Sequence, residues 1–130
     1  MMIFKASFMS LLNVSARRPD LHKVNVSNVT EAPVTEDESK GARIRWLING
    51  DDGAPNFLMR HFTIESGGFT PYHQHDWEHE VYVLEGHGKV RYEDREEKIE
   101  PGDAILIPPS KKHQFRAGSE QLKFLCIVPK

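Results

Sequence analysis

Residues 67–86 read GGFTPYHQHDWEHEVYVLEG, and three of the chain's seven histidines, His73, His75 and His79, fall inside this stretch. All three are odd-numbered. In an extended chain successive side chains point to opposite faces, so the three imidazoles share a side if the segment stays extended. A fourth histidine, His113, follows in GDAILIPPSKKHQF, residues 102–115. Neutral imidazole is the commonest protein ligand for transition metals, and four converging rings point to a metal site. Histidines standing alone carry no such signal. His22 and His87 read as surface residues, and His61 as a strand residue within possible reach of a cavity.

Outward from this stretch the chain reads as short strands separated by turn chemistry. KVNVSNVT (23–30), RIRWLI (43–48) and FLMRHFTIE (57–65) alternate apolar and polar residues, as half-buried strands do. EAPVTEDESKG (31–41) reads as an exposed acidic loop and NGDDGAPN (49–56) as a turn. GGFTP is expected to break the strand ahead of the histidines. Beyond Gly86 come strands at KVRYE, EEKIE, AILIPP, KKHQFRA and LKFLCIV (122–128), divided by Gly86-His87-Gly88, Asp94-Arg95 and Pro101-Gly102-Asp103. About nine or ten short strands without a convincing helix make the class all-β, a sandwich or barrel.

The chain's 130 residues suffice for one domain, expected at 23–130 behind an N-terminal extension at 1–22. That extension reads as mobile or as a short amphipathic helix. Its apolar run is interrupted by Lys5, Ser7 and Ser10, which argues against a signal peptide. The sequons at Asn13, Asn25 and Asn28 then read as coincidence, and the expected compartment is the cytoplasm. A net charge of −2 without a basic stripe argues against nucleic acid as a partner. No apolar run reaches the ~18 residues of a membrane span. The single cysteine, Cys126, excludes an internal disulfide.

The two histidine-bearing stretches resemble the two motifs of the cupin superfamily. The first motif is matched by Gly67, His73, His75, an acidic-or-histidine position at His79 or Glu80, and Gly86. The second is matched by Gly102, Pro108 and His113, with Ser110 where the pattern has its second glycine and Ala117 where it has asparagine. The resemblance covers roughly residues 57–130. It implies a double-stranded β-helix, the jelly-roll barrel, with a metal at one mouth. Both His79 and Glu80 lie at spacings the family uses for its third ligand. Parity along an unbroken strand favours His79, and a bulge would reverse the choice. HQHDWEHEVYVLEG and the C-terminal KFLCIVPK are further similar to single-domain cupins that carry four histidines and bind manganese. That likeness implies His73, His75, His79 and His113 as ligands of one divalent ion, manganese first, iron second, then nickel, copper and zinc.

Phe115 shares a parity with His113, and Phe124 shares one with Cys126, so these three read as pocket wall or as plain core. Val81, Val83, Ile105 and Ile107 read the same way. Trp77 and Tyr72 flank the first motif as a lid or as packing, and Glu78 and Glu80 are candidates to accept hydrogen bonds from the ligand imidazoles.

A metal with open positions in a mostly apolar pocket permits several chemistries, and the first expectation is a metal-dependent oxidoreductase, dioxygenase-like, acting on a small organic substrate. A Lewis-acid isomerase or decarboxylase and a non-catalytic small-ligand module are the alternatives, because one fold carries many functions. A homodimer is expected through the apolar strand at 23–30; a monomeric mass in solution would refute it. Because ligand imidazoles must be neutral, metal affinity is expected to fall as pH drops through about 6.5 and below. Metal content measured after equilibration at pH 4.5 checks this, and undiminished occupancy would contradict an all-histidine site.

Overall fold

The computed structural model describes residues 20–36 and 38–130, so the expected extension lies, up to residue 19, outside the described residues. Nine strands follow in chain order: β1 (Ala32–Pro33), β2 (Lys40–Ile48), β3 (Phe57–Phe69), β4 (His79–Glu85), β5 (Gly88–Tyr92), β6 (Arg95–Ile99), β7 (Ala104–Ile107), β8 (His113–Ala117) and β9 (Leu122–Pro129). They form one antiparallel sheet, ordered β6–β5–β8–β3–β9–β4–β7, with β2 also paired to β3 and β1 to β2. The sheet curls on itself in the jelly-roll manner expected from the sequence. Among the described residues there is no α-helix, only two 3-10 turns. None of their helical segments is long and apolar enough to cross a membrane.

Alternation builds the interior. Along β9, Leu122, Phe124, Cys126 and Val128 are buried while their neighbours are partly exposed, and along β4 the inward set is His79, Val81 and Val83. Phe124, Ile64, Ile107, Leu122 and Val83 are the largest fully buried side chains. Each contributes on the order of 1.5–3 kcal/mol by leaving water. β3 is the central element, because it pairs with β2, β8 and β9.

Two expectations about strands are corrected. Residues 23–30 are not a strand: Val26–Asn28 is a 3-10 turn, and Val24 is 43% exposed. The Asn25 side chain accepts hydrogen bonds from the Ser27 N–H and hydroxyl, a local alternative that competes with a sheet ladder. Side chains from β2 hold the segment instead, Arg45 donating to the Val29 carbonyl and Arg43 to Glu31. The element expected to carry a dimer contact is therefore missing.

GGFTP does not break β3 either, since the strand runs through Gly67 and Gly68 to Phe69. Gly68 permits this: a Cβ there would lie 2.4 Å from the Lys40 carbonyl oxygen. Past the glycines, the strand leaves β9 and meets β8 at Phe69 and Arg116.

Ser110, which stands where the second motif has glycine, adopts a left-handed backbone with φ of 64°. Residues with a Cβ are strained there by about 1–2 kcal/mol, while glycine is not. Its N–H donates to the His75 carbonyl, and that bond survives substitution. Ser110→Gly is expected to stabilise the fold by about 0.5–1 kcal/mol, the relief being partly offset by the looser unfolded chain. Thermal denaturation checks it, and an unchanged or lower midpoint would contradict the strain.

Candidate metal centre

His73 and His113 face each other across an isolated β-bridge. The His73 N–H donates to the His113 carbonyl at 3.1 Å, and the His113 N–H returns a bond to His73 at 2.9 Å. The loop between His73 and β4 is bent at Asp76 and Trp77, so the expected unbroken extension from His73 to His79 is not present. His73 and His75 reach the site through the bridge and through the Ser110-to-His75 backbone bond. His79, by contrast, opens a regular strand, and there parity decides: His79 is 5% exposed while Glu80 is on the outer face.

The four imidazoles converge. Ring centroids lie 4.2 Å apart for His73–His75, 4.6 Å for His75–His79, 4.9 Å for His79–His113, 5.2 Å for His73–His113 and 5.4 Å for His75–His113. Ligand-capable atoms of His73, His75 and His113 all lie within 4.8 Å of one another. His79 stands just outside that trio.

The hydrogen bonds suit a metal. His113 Nδ1 lies 2.8 Å from the Lys111 carbonyl; its N–H donates there, which leaves the Nε2 lone pair free. His73 Nδ1 is similarly 3.3 Å from Glu36 Oε2. His79 Nδ1 is 3.2 Å from the Cys126 sulfur, and its Nε2 is buried with no hydrogen-bond partner. A buried imidazole nitrogen without a partner is costly, and a divalent cation among the four rings would satisfy it. The residues fit the group.

Electrostatics agree. Burial pushes the His79 pKa down to about 3, assisted by the His113, Arg60, His75 and His73 charges. Burial also lowers His73, His75 and His113; Glu36 opposes this at His73, and the Lys111 carbonyl opposes it at His113. All four rings are thus held in the neutral form that binds metal, and proton competition begins further below pH 6.5 than the sequence suggests.

A cavity of about 250 Å³ opens beside the histidines. Phe115, Phe124 and Cys126 line it, as does Trp77, whose ring stacks on His75 at 4.6 Å. Val81, Val83 and Ile107 are buried core rather than cavity wall, and Ile105 packs against that core. Tyr72 is held outside by the Glu93 carbonyl and the Arg91 guanidinium. His61 does not line the cavity, because its odd position on β3 faces the other side of the sheet from Arg60 and Phe62. Glu78 and Glu80 are exposed, and the carboxylate that meets a site histidine is Glu36.

Arg60, Glu36 and Phe62 were missed by the sequence reading. Arg60 and Phe62 left a usable signal, lying on the same parity of β3 as Leu58 and Ile64. Glu36 left none, since a loop carries no periodicity.

A cupin domain model matches residues 60–128. The 1-methylthio-D-xylulose 5-phosphate methylsulfurylase of Rhodospirillum rubrum is 35% identical over 71 residues, which are 54% of this chain and 46% of that protein. The chain thus spans about half the length of that relative. The polyketide cyclase RemF from Streptomyces resistomycificus is 37% identical, with a TM-score of 0.81 over 85% of this chain and 80% of that one. A cupin 2 domain-containing protein from Halorhodospira halophila is 39% identical, with a TM-score of 0.65 over 74% and 72% of the two chains.

A pH prediction follows from the buried rings. Histidines in the unfolded chain take up protons near pH 6.5, whereas folded His79 stays neutral to about 3. Between these values the unfolded state binds more protons, so stability rises with pH across the window. The metal-free protein should therefore lose thermal stability steadily from pH 6.5 to pH 4, and His79→Phe should flatten that slope. Equal slopes in wild type and variant would contradict the burial of a neutral His79.

Proposed function

This chain belongs to the cupin family, and from that premise we propose that it is a metal-dependent enzyme acting on a small, unsaturated, enolisable carbonyl compound. The observation that carries the reading is the partnerless, buried Nε2 of His79, whose ring lies against those of His75 and His113. His73, His75, His79 and His113 would hold one divalent ion, manganese first, iron second, then nickel, copper and zinc. Bound there by four neutral ligands, the ion would supply Lewis acidity to a substrate oxygen and, as manganese or iron, redox capacity.

The protein's own part is positioning and drying. Phe62, Phe115 and Phe124 line the cavity, with Phe62 and Phe124 stacked at 5.2 Å and the Phe115 ring tilted against Phe124 at 4.8 Å. Flat aromatic walls favour a planar, conjugated substrate and exclude water from its reacting end. Trp77 borders the mouth, and Glu36 on His73 is the carboxylate placed to accept a proton there.

Two chemistries share this site. Redox-neutral cyclisation or isomerisation is supported by the neighbour named as a polyketide cyclase, which overlaps most of both chains. The dioxygenase-like oxidation is supported by the largely apolar, aromatic lining of Phe62, Phe115, Phe124 and Trp77, to which Glu36 adds the one carboxylate. We rank the redox-neutral reaction first. A homodimer is retained as a proposal, without residues 23–30 as its contact.

Elemental analysis of protein purified without chelator should find near one equivalent of metal, sharply reduced in His79→Ala. No metal in the wild type after reconstitution would refute the reading. Zinc-loaded protein should turn over as well as manganese-loaded protein if the chemistry is redox-neutral. Oxygen consumption confined to the manganese or iron forms would select oxidation.

A further inference from the structure

Arg60 sits where a cation is hard to explain. It lies on β3 in register with Trp46 and Cys126, and it lines the cavity. Its guanidinium carbon is 5.1 Å from the Phe62 ring centroid and 5.6 Å from that of Trp46, a cation–π setting that fixes its plane. One terminal nitrogen donates to the Cys126 sulfur at 2.8 Å and lies 3.3 Å from His79 Nδ1. Its Nε is buried with no partner.

No acid answers this charge. Among the described residues the ion pairs involve Arg43, Arg45, Arg95, Lys89, Lys123 and three histidines, and never Arg60. The carboxylate at the cavity, Glu36, is largely exposed and engaged with His73. Arg60 is close enough to depress the basicity of all four imidazoles. The cavity therefore holds four neutral rings and one unmatched guanidinium, and a divalent ion would add to the same sign. Arg60 is half-buried, with its Nε fully buried, and withdrawing an uncompensated cation from water is costly unless an anion joins it.

We propose that Arg60 makes this cavity an anion site, and that the natural ligand is a small planar organic anion whose charged oxygen pairs with the guanidinium. A carboxylate and an enolate or phenolate share that chemistry, and the guanidinium edge suits either. The volume of about 250 Å³ falls below the usual range for ligand cavities, which restricts the ligand to about one ring. This deepens the enzymatic reading and rests on it for the ligand's role as substrate. The binding claim itself stands on Arg60 and is tested without turnover.

The full-length protein is titrated with benzoate, with its neutral isostere benzamide, and with an acidic phenol in its ionised and neutral forms. Binding is followed by calorimetry in chelator-treated and manganese-loaded samples of wild type, Arg60→Met and Arg60→Lys, with circular dichroism confirming that the variants fold. The wild type should bind benzoate or the phenolate at least tenfold more tightly than the neutral partner, metal-free as well as loaded. In the chelator-treated samples Arg60→Met should bring the two within about twofold, while its metal content as purified is unchanged, and Arg60→Lys should keep part of the preference. Preference for benzoate alone assigns a carboxylate ligand, and preference for the phenolate alone an enolate type. Equal binding of charged and neutral probes, absence of anion binding, or a preference that survives in metal-free Arg60→Met overturns the proposal. Loss of metal without loss of this preference would defeat the metal reading and leave the anion site standing.

Discussion

Two backbone hydrogen bonds between His73 and His113 hold the centre of this molecule together. They join a loop to the start of β8 across forty residues of sequence, and they set two imidazoles side by side before any side-chain preference operates. In an antiparallel pair that exchanges both bonds, the facing Cα atoms stand about 5.5 Å apart, close enough for the rings to share a ligand. His75 follows two residues along the same loop, tied through its carbonyl to Ser110. His79 arrives from the β4 side, whose partner β7 fixes it opposite Ile107. The site is therefore a product of strand register. A one-residue slip of β4 would put Glu80 inside and His79 in water.

Register also explains how polar groups are tolerated at the barrel mouth. His113 and His73 each have an outer nitrogen satisfied, by the Lys111 carbonyl and by Glu36, so desolvation falls only on the nitrogen that points inward. His79 has the sulfur of Cys126 and the Arg60 guanidinium beside its Nδ1, and nothing on its Nε2. A fold selected for stability alone would fill such a position with an aliphatic side chain, since an unsatisfied buried polar group costs about 1–3 kcal/mol.

The sequence made the strands of the barrel legible because they alternate, and it made the histidines legible because they cluster. It singled out His79 over Glu80 for a reason that holds, the parity of an unbroken strand from residue 79 onward. The same argument does not extend to His73 and His75, which are brought beside His113 by a bent loop held by non-local bonds. KVNVSNVT looked like a strand by period, yet Asn25 and Ser27 satisfy each other locally and leave no ladder to join. GGFTP looked like a break, yet a glycine serves equally where another strand's carbonyl comes within 2.4 Å of its absent Cβ. Composition cannot separate these two uses of glycine, because the difference lies in what packs against it.

Arg60 shows where pattern reading loses information that it contains. Leu58, Arg60, Phe62 and Ile64 share one parity, and a rule that asks only which face is apolar averages the cation away. The physical reading runs the other way. A half-buried guanidinium placed on the cavity face of the most heavily paired strand, flanked by aromatic rings and in no ion pair among the described residues, is an uneconomical residue there. Its stem can lie along apolar surface, but its charged end cannot escape to water without abandoning the Cys126 and His79 contacts. A cation so fixed, beside histidines kept neutral by burial, gives the cavity a sign as well as a shape. A bound divalent ion would draw anions as well, but Arg60 makes the choice among planar ligands a matter of protonation state even without the metal.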